Sequence, residues 1–238
     1  MDERFNDYKQ HRRIRIGSRP SKLAIKQVEE VINLLPKDIE FEIKKYYTTG
    51  DKDKHTPISE IEGTDFFTDT IEKALINNEI DIAVHSAKDL PDKIPEGLVI
   101  VAITESIDPY DVLVVRAGLK YSSLSELPFG AKIATSSQRR KEQLKKFRED
   151  FQIIDIRGNI EERLYILDNS DDLDAIVIAA AGLVRLGLQH RITQRIPFEI
   201  LRPHPLQGSL AIETQKDNYE IINLLKNLDV RKQQKSDI

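Results

Sequence analysis

The stretch DIAVHSAKDLPD, residues 81–92, is the part of the sequence from which both the fold and a candidate site are inferred. Its apolar run IAV, residues 82–84, has the length and composition of a short buried strand. Four polar side chains follow directly at the end of that run: His85, Ser86, Lys88 and Asp89. Polar groups at the end of a buried strand need either protein partners or a ligand. The stretch therefore raises the question of whether these side chains pair with each other or form a binding site.

Strand-like and helical patterns alternate on the N-terminal side of this stretch. Residues 13–17 (RIRIG) and 41–47 are predicted as strands, and the helix between them has Ser21 as its N-cap. A second helix carries its apolar face within residues 67–75. Together with DIAVHS these segments make a βαβαβ set. The set predicts an α/β fold with a parallel or mixed sheet covered by helices.

The same alternation restarts after residues 108–109. The predicted strands of this second part are residues 112–115, 132–135, 153–156 and 175–178. Its predicted helices are residues 139–147, 160–167 and 182–188. A proline-rich segment then leads to a last strand at residues 210–213 (LAIE) and a last helix at residues 219–228. The sequence therefore predicts two α/β units of similar size.

Composition excludes several classes of function. The 238 residues are 39% apolar and 32% charged, with a net charge of −4, which argues against a nucleic-acid or membrane-surface binder. They include no cysteine, so they provide no disulfide, thiolate metal ligand or cysteine nucleophile, and no His/Asp/Glu spacing suggests a metal site. The charged N-terminus predicts no signal peptide, and the most apolar run, residues 175–184, is too short to span a bilayer. A cytoplasmic protein is expected.

Hydroxyl and guanidinium side chains recur where strands end and helices begin, which is where α/β proteins bind their ligands. Besides the four residues of the opening stretch, the set comprises Ser18, Arg19, Ser21, Thr135, Ser136, Ser137, Arg139, Arg140, Arg157, Arg163 and Arg185. Guanidinium groups bind planar oxyanions through two hydrogen bonds, so the pattern predicts a cleft for several carboxylates or phosphates. The one acid among these cations, Asp89, is suited to stabilising a developing cation or handling a proton.

Each of these residues also has a purely structural interpretation. The arginines at 139–140 are typical of a solvated helix face, and Ser136 is an ordinary N-cap candidate. A histidine such as His85 is more often a hydrogen-bonded core residue than a catalyst, and Asp89 could cap the turn before Pro91. Only the repetition of the bias at five strand ends favours an anion-binding cleft, and it does not identify a reaction.

The chain resembles the porphobilinogen deaminase (hydroxymethylbilane synthase) family between Arg13 and about Glu213. The matching motifs, in the order of the family, are RIGSRPSKLAIKQ, DIAVHSAKDLP, IDPYDVLV, LPFGAKIATSSQRR, IRGNIEERL, LDAIVIAAAGLVRLGL and LQGSLAIE. The resemblance implies two lobes similar to those of type 2 periplasmic binding proteins, with mixed sheets covered by helices and a cleft between the lobes. It places residues 12–104 and 205–230 in the first lobe and 105–204 in the second, and a disordered tail is expected at 231–238.

The resemblance also implies a reaction. The family joins four porphobilinogen units head to tail with release of ammonia, giving hydroxymethylbilane. It builds them on a dipyrromethane cofactor, which a thioether attaches to a cysteine of a third domain. The catalytic aspartate of the family falls on Asp89. The carboxylate-binding and cofactor-binding positions fall on Arg19, Ser21, Ser86, Lys88, Ser136, Arg139, Arg140, Arg157, Arg163 and Arg185, to which Thr135 and Gln207 of the matching motifs are added.

Two departures from the family pattern leave three hypotheses. The cysteine-bearing third domain is not found in these residues, and the lysine- and glycine-rich loop of the family is replaced by EIEGTDFF, with Glu60, Thr64 and Asp65 at lysine and glycine positions. The chain is therefore expected to be a deaminase-type enzyme whose primer is absent, noncovalent or attached to a separate cysteine-bearing polypeptide. The alternatives are a shorter oligopyrrole condensation and a noncatalytic protein that binds a carboxylated pyrrole. Retention of Asp89 favours an enzyme.

Overall fold

The computed structural model describes residues 13–53, 56 and 64–231. The described part contains two five-stranded sheets, each flanked by helices. The strands of the first sheet are β1 (Ile14–Ser18), β2 (Phe41–Lys45), β3 (Ile82–Ser86), β4 (Leu98–Ile103) and β10 (Leu210–Gln215). Those of the second are β5 (Asp111–Val115), β6 (Lys132–Ala134), β7 (Gln152–Ile154), β8 (Ala175–Ala179) and β9 (Gln194–Arg195). The first lobe denotes the first sheet with its helices, and the second lobe denotes the second sheet with its helices.

The helices cover the faces of these sheets. Those of the first lobe are α1 (Lys22–Asn33), α2 (Thr49–Lys52), α3 (Asp69–Ile76) and α7 (Tyr219–Leu225). Those of the second lobe are α4 (Gln138–Phe147), α5 (Ile160–Asn169) and α6 (Ala180–Arg185). Short 3₁₀ turns include Asp65–Phe67 before α3 and Ala87–Asp89 after β3. Among the described residues, no helix combines the length and the apolarity needed to cross a bilayer.

Both sheets are mixed, and parallel and antiparallel strands follow each other in the same order in the two sheets. In the first, with the order β2-β1-β3-β10-β4, β1 is parallel to β2 and β3, while β10 runs antiparallel to β3 and β4. In the second, with the order β7-β6-β8-β5-β9, β6 is parallel to β7 and β8, while β5 is antiparallel to β8 and β9. The carboxyl ends of the parallel strands β1 and β3 therefore meet at one edge, as do those of β6, β7 and β8.

The strand β3 is buried on both faces because helices lie above and below the first sheet. Val84 belongs to a core with Val28 of α1 and Ile221 of α7, whereas Ala83 packs on the opposite side with Leu75 of α3. A central strand in such a three-layer arrangement is apolar along its whole length, which explains the IAV run. The polar residues begin only where the strand leaves the sheet.

The predicted fold class is confirmed, and the structure adds two strands that the sequence did not reveal. The strands β4 and β9 were not predicted. The bounds of the two lobes remain predictions, although the sheet order agrees with a chain that enters the second lobe after β4 and returns with β10. The predicted disordered tail lies outside the described residues except for Arg231, which donates to the carbonyl of Ile100 over 3.0 Å.

Candidate functional site

The turn at Ala87–Asp89 is attached to the first lobe on both sides. Ser86 Oγ accepts a hydrogen bond from Gln27 Nε2 of α1 over 2.8 Å. The backbone N–H of Ala87 donates to the carbonyl of Ser209 over 3.0 Å. Because Gln27 is buried and Ser209 directly precedes β10, these bonds fix where the turn leaves the sheet. Lys88 and Asp89 are thereby held at the carboxyl end of β3.

Asp89 has no neutralising contact in the part of the chain that the structure describes. Its carboxylate takes part in no hydrogen bond and no ion pair there, although the charges of Lys88 and of Arg163 from the second lobe lie within electrostatic reach. The side chain is partly exposed. A carboxylate among cations that nevertheless pairs with none of them is available to a ligand.

Lys88 is a second charged group that has no direct partner among the described residues. Burial lowers the pKa of its ammonium, as do the guanidiniums of Arg140 and Arg163, while Asp89 and Asp111 act in the opposite direction. The residue as a whole is still partly exposed. Within the described residues its Nζ donates no hydrogen bond, so the ammonium can bind an anion that enters the cleft.

The second lobe contributes three further groups to the same region. Burial, together with the charges of Arg140 and Arg157, lowers the pKa of Arg163 to about 10, so this guanidinium stays charged at neutral pH. Its Nε donates to the carbonyl of Gly158 over 2.8 Å. Arg157 Nη1 and Thr135 Oγ1 are buried and have no hydrogen-bond partner among the described residues. Buried polar groups are rarely left unpaired, so these two donors are candidates for contact with a ligand.

Asp111 is the centre of a buried ion-pair network that the sequence analysis missed. It is fully buried, and Arg139 Nη2 donates to Oδ2 over 2.7 Å while Arg140 Nε donates to Oδ1 over 2.9 Å. Gln207 Nε2 also donates to Oδ1, over 3.0 Å, and to the carbonyl of Pro109 over 2.7 Å. Burial alone would raise the pKa of Asp111, but Arg140 and Arg139 outweigh it and lower the pKa. The sequence signal that could have indicated this network is the acidic residue directly before the apolar run VLVV.

Two predicted binding hydroxyls besides Ser86 form hydrogen bonds within the protein itself. Ser136 Oγ donates to the carbonyl of Ile156 and accepts from its N–H over 3.1 Å, which joins the ends of β6 and β7. Ser21 Oγ accepts from the N–H of Ala24 over 3.2 Å and caps α1, as the sequence predicts. Neither bond prevents a ligand from binding nearby, but both give these serines a structural role.

Two further predicted binding arginines, besides Arg139 and Arg140, are paired with acids. Arg19 Nε donates to Asp51 Oδ1 over 3.0 Å, and its guanidinium carbon lies 4.7 Å from the centre of the Phe67 ring. Arg185 Nε and Nη2 donate to the two carboxylate oxygens of Glu30 over 2.7 and 2.9 Å. Because Glu30 lies on α1 and Arg185 on α6, the second pair connects the two lobes.

Replacement of Glu30 by Gln is expected to destabilise the protein. The Arg185 side chain is only 4% exposed, so it would keep its charge without an ionic partner. Loss of hydrogen bonds to a charged group changes the free energy of unfolding by about 1–3 kcal/mol, which urea denaturation would measure. The Lys22–Glu161 pair also joins the lobes but is exposed, so Glu161→Gln is the matched control and should have little effect. Equal stability of both variants would contradict a structural role for the Arg185–Glu30 pair.

The segment EIEGTDFF, residues 60–67, is described only from Thr64 onward. Glu60 lies outside the described residues. Thr64 Oγ1 accepts from the N–H of Phe66 over 3.4 Å and caps the 3₁₀ turn that begins with Asp65. Within the described residues, no group of three or more His, Cys, Asp or Glu side chains could hold a metal ion.

Solved structures similar to this chain share its two-lobed fold. One is a polar amino acid ABC uptake transporter substrate binding protein from Streptococcus thermophilus, with a TM-score of 0.54 and 16% identity over 95% of this chain and 83% of that one. Another is a periplasmic substrate-binding protein of an ABC transporter from Coxiella burnetii, with a TM-score of 0.50 and 14% identity over 90% and 91%. At such identities the likeness concerns the fold alone, and it confirms the expected resemblance to periplasmic binding proteins.

Sequence comparisons identify the family. The family model described as "Porphobilinogen deaminase, dipyromethane cofactor binding domain" matches residues 14–223. A porphobilinogen deaminase of Syntrophomonas wolfei is 43% identical over 221 residues, which are 92% of this chain and 71% of that relative. One of Natranaerobius thermophilus is 45% identical over 220 residues, 91% of this chain and 70% of that relative. The chain therefore belongs to the porphobilinogen deaminase (hydroxymethylbilane synthase) family, the transferases that act on porphobilinogen in tetrapyrrole biosynthesis.

Proposed function

We propose that this chain condenses porphobilinogen, or a closely related carboxylated pyrrole, with release of ammonia, and that Asp89 carries the chemistry. The observation that supports this most directly is the carboxylate of Asp89. It lies within electrostatic reach of Lys88 and Arg163 but forms no hydrogen bond or ion pair in the described part of the chain. A protein that only bound carboxylated pyrroles would need the cations and would be weakened by an unpaired acid among them.

Asp89 would act on the substrate in two ways. Loss of ammonia from the protonated aminomethyl group of porphobilinogen leaves an azafulvenium-type cation, and a nearby carboxylate lowers the energy of that charge. A ring carbon of a second pyrrole then attacks this cation, the new carbon–carbon bond forms, and that ring carbon loses a proton, which Asp89 could accept. One ammonia and one proton thus leave for each bond formed.

The surrounding cations would bind the acetate and propionate groups of the pyrroles. Lys88 Nζ has no hydrogen-bond partner among the described residues. Arg157 Nη1 and Thr135 Oγ1 are buried and have no partner there either. Each of these groups can donate to a carboxylate, and the guanidinium of Arg163 adds a further positive charge. Arg139 and Arg140 would act less directly, because Asp111 already pairs with them.

The same groups fit the dipyrromethane cofactor of the family. When bound, that group supplies the primer to which pyrroles are added, and it carries acetate and propionate groups of the same kind. Unpaired buried donors at Thr135 and Arg157 suit these carboxylates. The 238 residues contain no cysteine, so we propose that they hold the primer through its carboxylates. Any thioether would come from a cysteine-bearing segment outside these 238 residues.

A turnover assay tests the proposed function. The purified chain is incubated with porphobilinogen, ammonia release is measured, and protein and products are followed by mass spectrometry. Hydroxymethylbilane, detected as the uroporphyrinogen that forms from it, or short oligopyrroles would support the proposal and define the product length. Tight binding without ammonia release would overturn it and leave a noncatalytic pyrrole-binding protein.

Replacement of Arg157 by Lys is expected to weaken porphobilinogen binding. An ammonium keeps the charge but loses the planar pair of donors that fits a carboxylate. KM should rise about tenfold, which corresponds to about 1.4 kcal/mol of binding energy. Arg202 is exposed, and its guanidinium forms no hydrogen bond or ion pair in the described segments, so Arg202→Lys is the control. An unchanged KM in Arg157→Lys would exclude Arg157 as a carboxylate ligand.

A further inference from the structure

A buried cluster of two carboxyl groups and one imidazole includes a residue of β3, the strand that leads to Asp89. It consists of Glu72 on α3, His85 on β3 and Glu213 on β10, and all three residues are buried. His85 Nε2 and Glu213 Oε2 are 3.1 Å apart. Glu72 Oε1 and Glu213 Oε1 are buried without a hydrogen-bond partner among the described residues. Two carboxyl groups and one imidazole thus share an interior site that the condensation chemistry does not use directly.

The charges around Glu72 favour its protonated form. Burial raises the pKa of Glu72 most strongly, and the negative charges of Glu213 on β10 and Asp65 in the preceding 3₁₀ turn raise it further. A hydrogen bond with Thr68 and the charge of His85 on β3 act in the opposite direction but do not cancel the rise. A second carboxylate charge beside Glu213 would be desolvated without an ionic partner of its own, which is strongly disfavoured.

The position of the cluster connects it to the turn at Ala87–Asp89. His85 directly precedes Ser86, and the register of the sheet places it opposite Ala211 of β10. The side chain of Glu72 is hydrogen-bonded to Thr68, the N-cap residue of α3. The cluster therefore joins the start of α3, the end of β3 and the middle of β10 at one point. A change of charge there would act on the strand end from which Lys88 and Asp89 project.

We propose that Glu72, His85 and Glu213 form a proton-holding cluster that positions the Lys88–Asp89 turn, and that turnover declines when the cluster loses its proton. The inference rests on the proposed role of Asp89, while the three side chains themselves are positioning residues. Because the stabilisation belongs to the protonated form of Glu72, it is complete at low pH and is lost as the pH rises through the raised pKa of that group.

Side-chain NMR of His85 tests the cluster without relying on activity. The imidazole resonances of His85 are followed from about pH 4, near the ordinary pKa of a glutamate, to about pH 9 in the wild type, in Glu72→Gln and in Glu220→Gln, which is exposed on α7. The wild type and Glu220→Gln are expected to show a change of these resonances, caused by the deprotonation of Glu72, that Glu72→Gln lacks. The same pH profile in all three proteins, or no change in the wild type, would overturn the proposal. A wild type without the change overturns it even if Glu72→Gln does not fold.

The pH dependence of turnover tests the link to the turn. The ratio of kcat below the pH at which the NMR titration shows Glu72 losing its proton to kcat above that pH should be at least about threefold larger in the wild type than in Glu72→Gln, with KM little changed. Equal ratios would show that the cluster does not position the turn, even if His85 reports its titration. If instead Asp89→Asn kept full activity, the role of Asp89 would fail while the NMR result for the cluster could still hold.

Discussion

Replacement of Asp89 by Asn is expected to slow ammonia release from porphobilinogen severely while leaving binding of the pyrrole nearly unchanged. The amide has the size of the carboxylate but can neither stabilise the azafulvenium-type cation by charge nor accept the proton. Removal of one group that stabilises charge in a transition state lowers kcat by about 10²–10³-fold. Ammonia release under single-turnover conditions and calorimetric titration with porphobilinogen would measure the two effects separately.

Asp92→Asn is the matched control for this experiment. Asp92 lies three positions beyond Asp89, it is exposed, and its carboxylate forms no hydrogen bond or ion pair in the described part of the chain. The same change of charge near the same turn should therefore leave kcat unaltered. Asp89→Asn that still turned over at the wild-type rate would remove Asp89 from the mechanism. A loss of binding without any loss of kcat would make it a substrate ligand.

Replacement of Asp111 by Ala is expected to have the largest effect on stability. Asp111 is fully buried, and its removal leaves Arg140, which is 6% exposed, and Arg139 without their common anion. Breaking a buried ion pair on one side destabilises a protein by about 3–5 kcal/mol, because the remaining charge stays desolvated. Urea denaturation would show this as a lower transition midpoint with a similar slope.

The effect of Asp111→Ala should depend on pH. The pKa of Asp111 is lowered in the folded protein, so its stabilisation is complete above the ordinary aspartate value of about 3.9 and is lost as the pH falls further. The difference between wild type and variant should therefore shrink below about pH 4. The control is Asp155, an exposed residue that pairs with Lys141 of α4, the helix that also carries Arg139 and Arg140. Asp155→Ala should therefore change stability little at any pH. A similarly small effect at Asp111 would contradict the network.

Hydrophobic periodicity was sufficient to predict most of the fold. The strand at DIAVHS is apolar because both faces of β3 are buried, and the N-cap at Ser21 identified the start of α1. The strand β4, LVIVAI, has an equally apolar sequence but was not predicted, because it pairs only with β10, more than one hundred residues later in the chain. A pattern within a local window contains no information about such a partner.

The site was predictable in its cations but not in their partners. The strand-end rule identified Arg139, Arg140 and Arg185 from local position. It did not distinguish an arginine that is free to bind a ligand from one that is already paired. That distinction depends on Asp111 and Glu30, which approach from other elements and, for Glu30, from the other lobe. Ser136 shows the same limit, since its partner Ile156 belongs to a neighbouring strand end.

The insertion of β10 between β3 and β4 has a consequence for the order of folding during synthesis. All five strands of the second sheet have been synthesised by residue 195. The first sheet, in contrast, lacks β10, the strand that lies between β3 and β4, until residues 210–215 leave the ribosome. The N-terminal half must therefore wait with the backbone edges of β3 and β4 unpaired, which are sites of aberrant association. The second lobe, although translated later, is the first that can finish its sheet, and the edge that bears Asp89 is completed last.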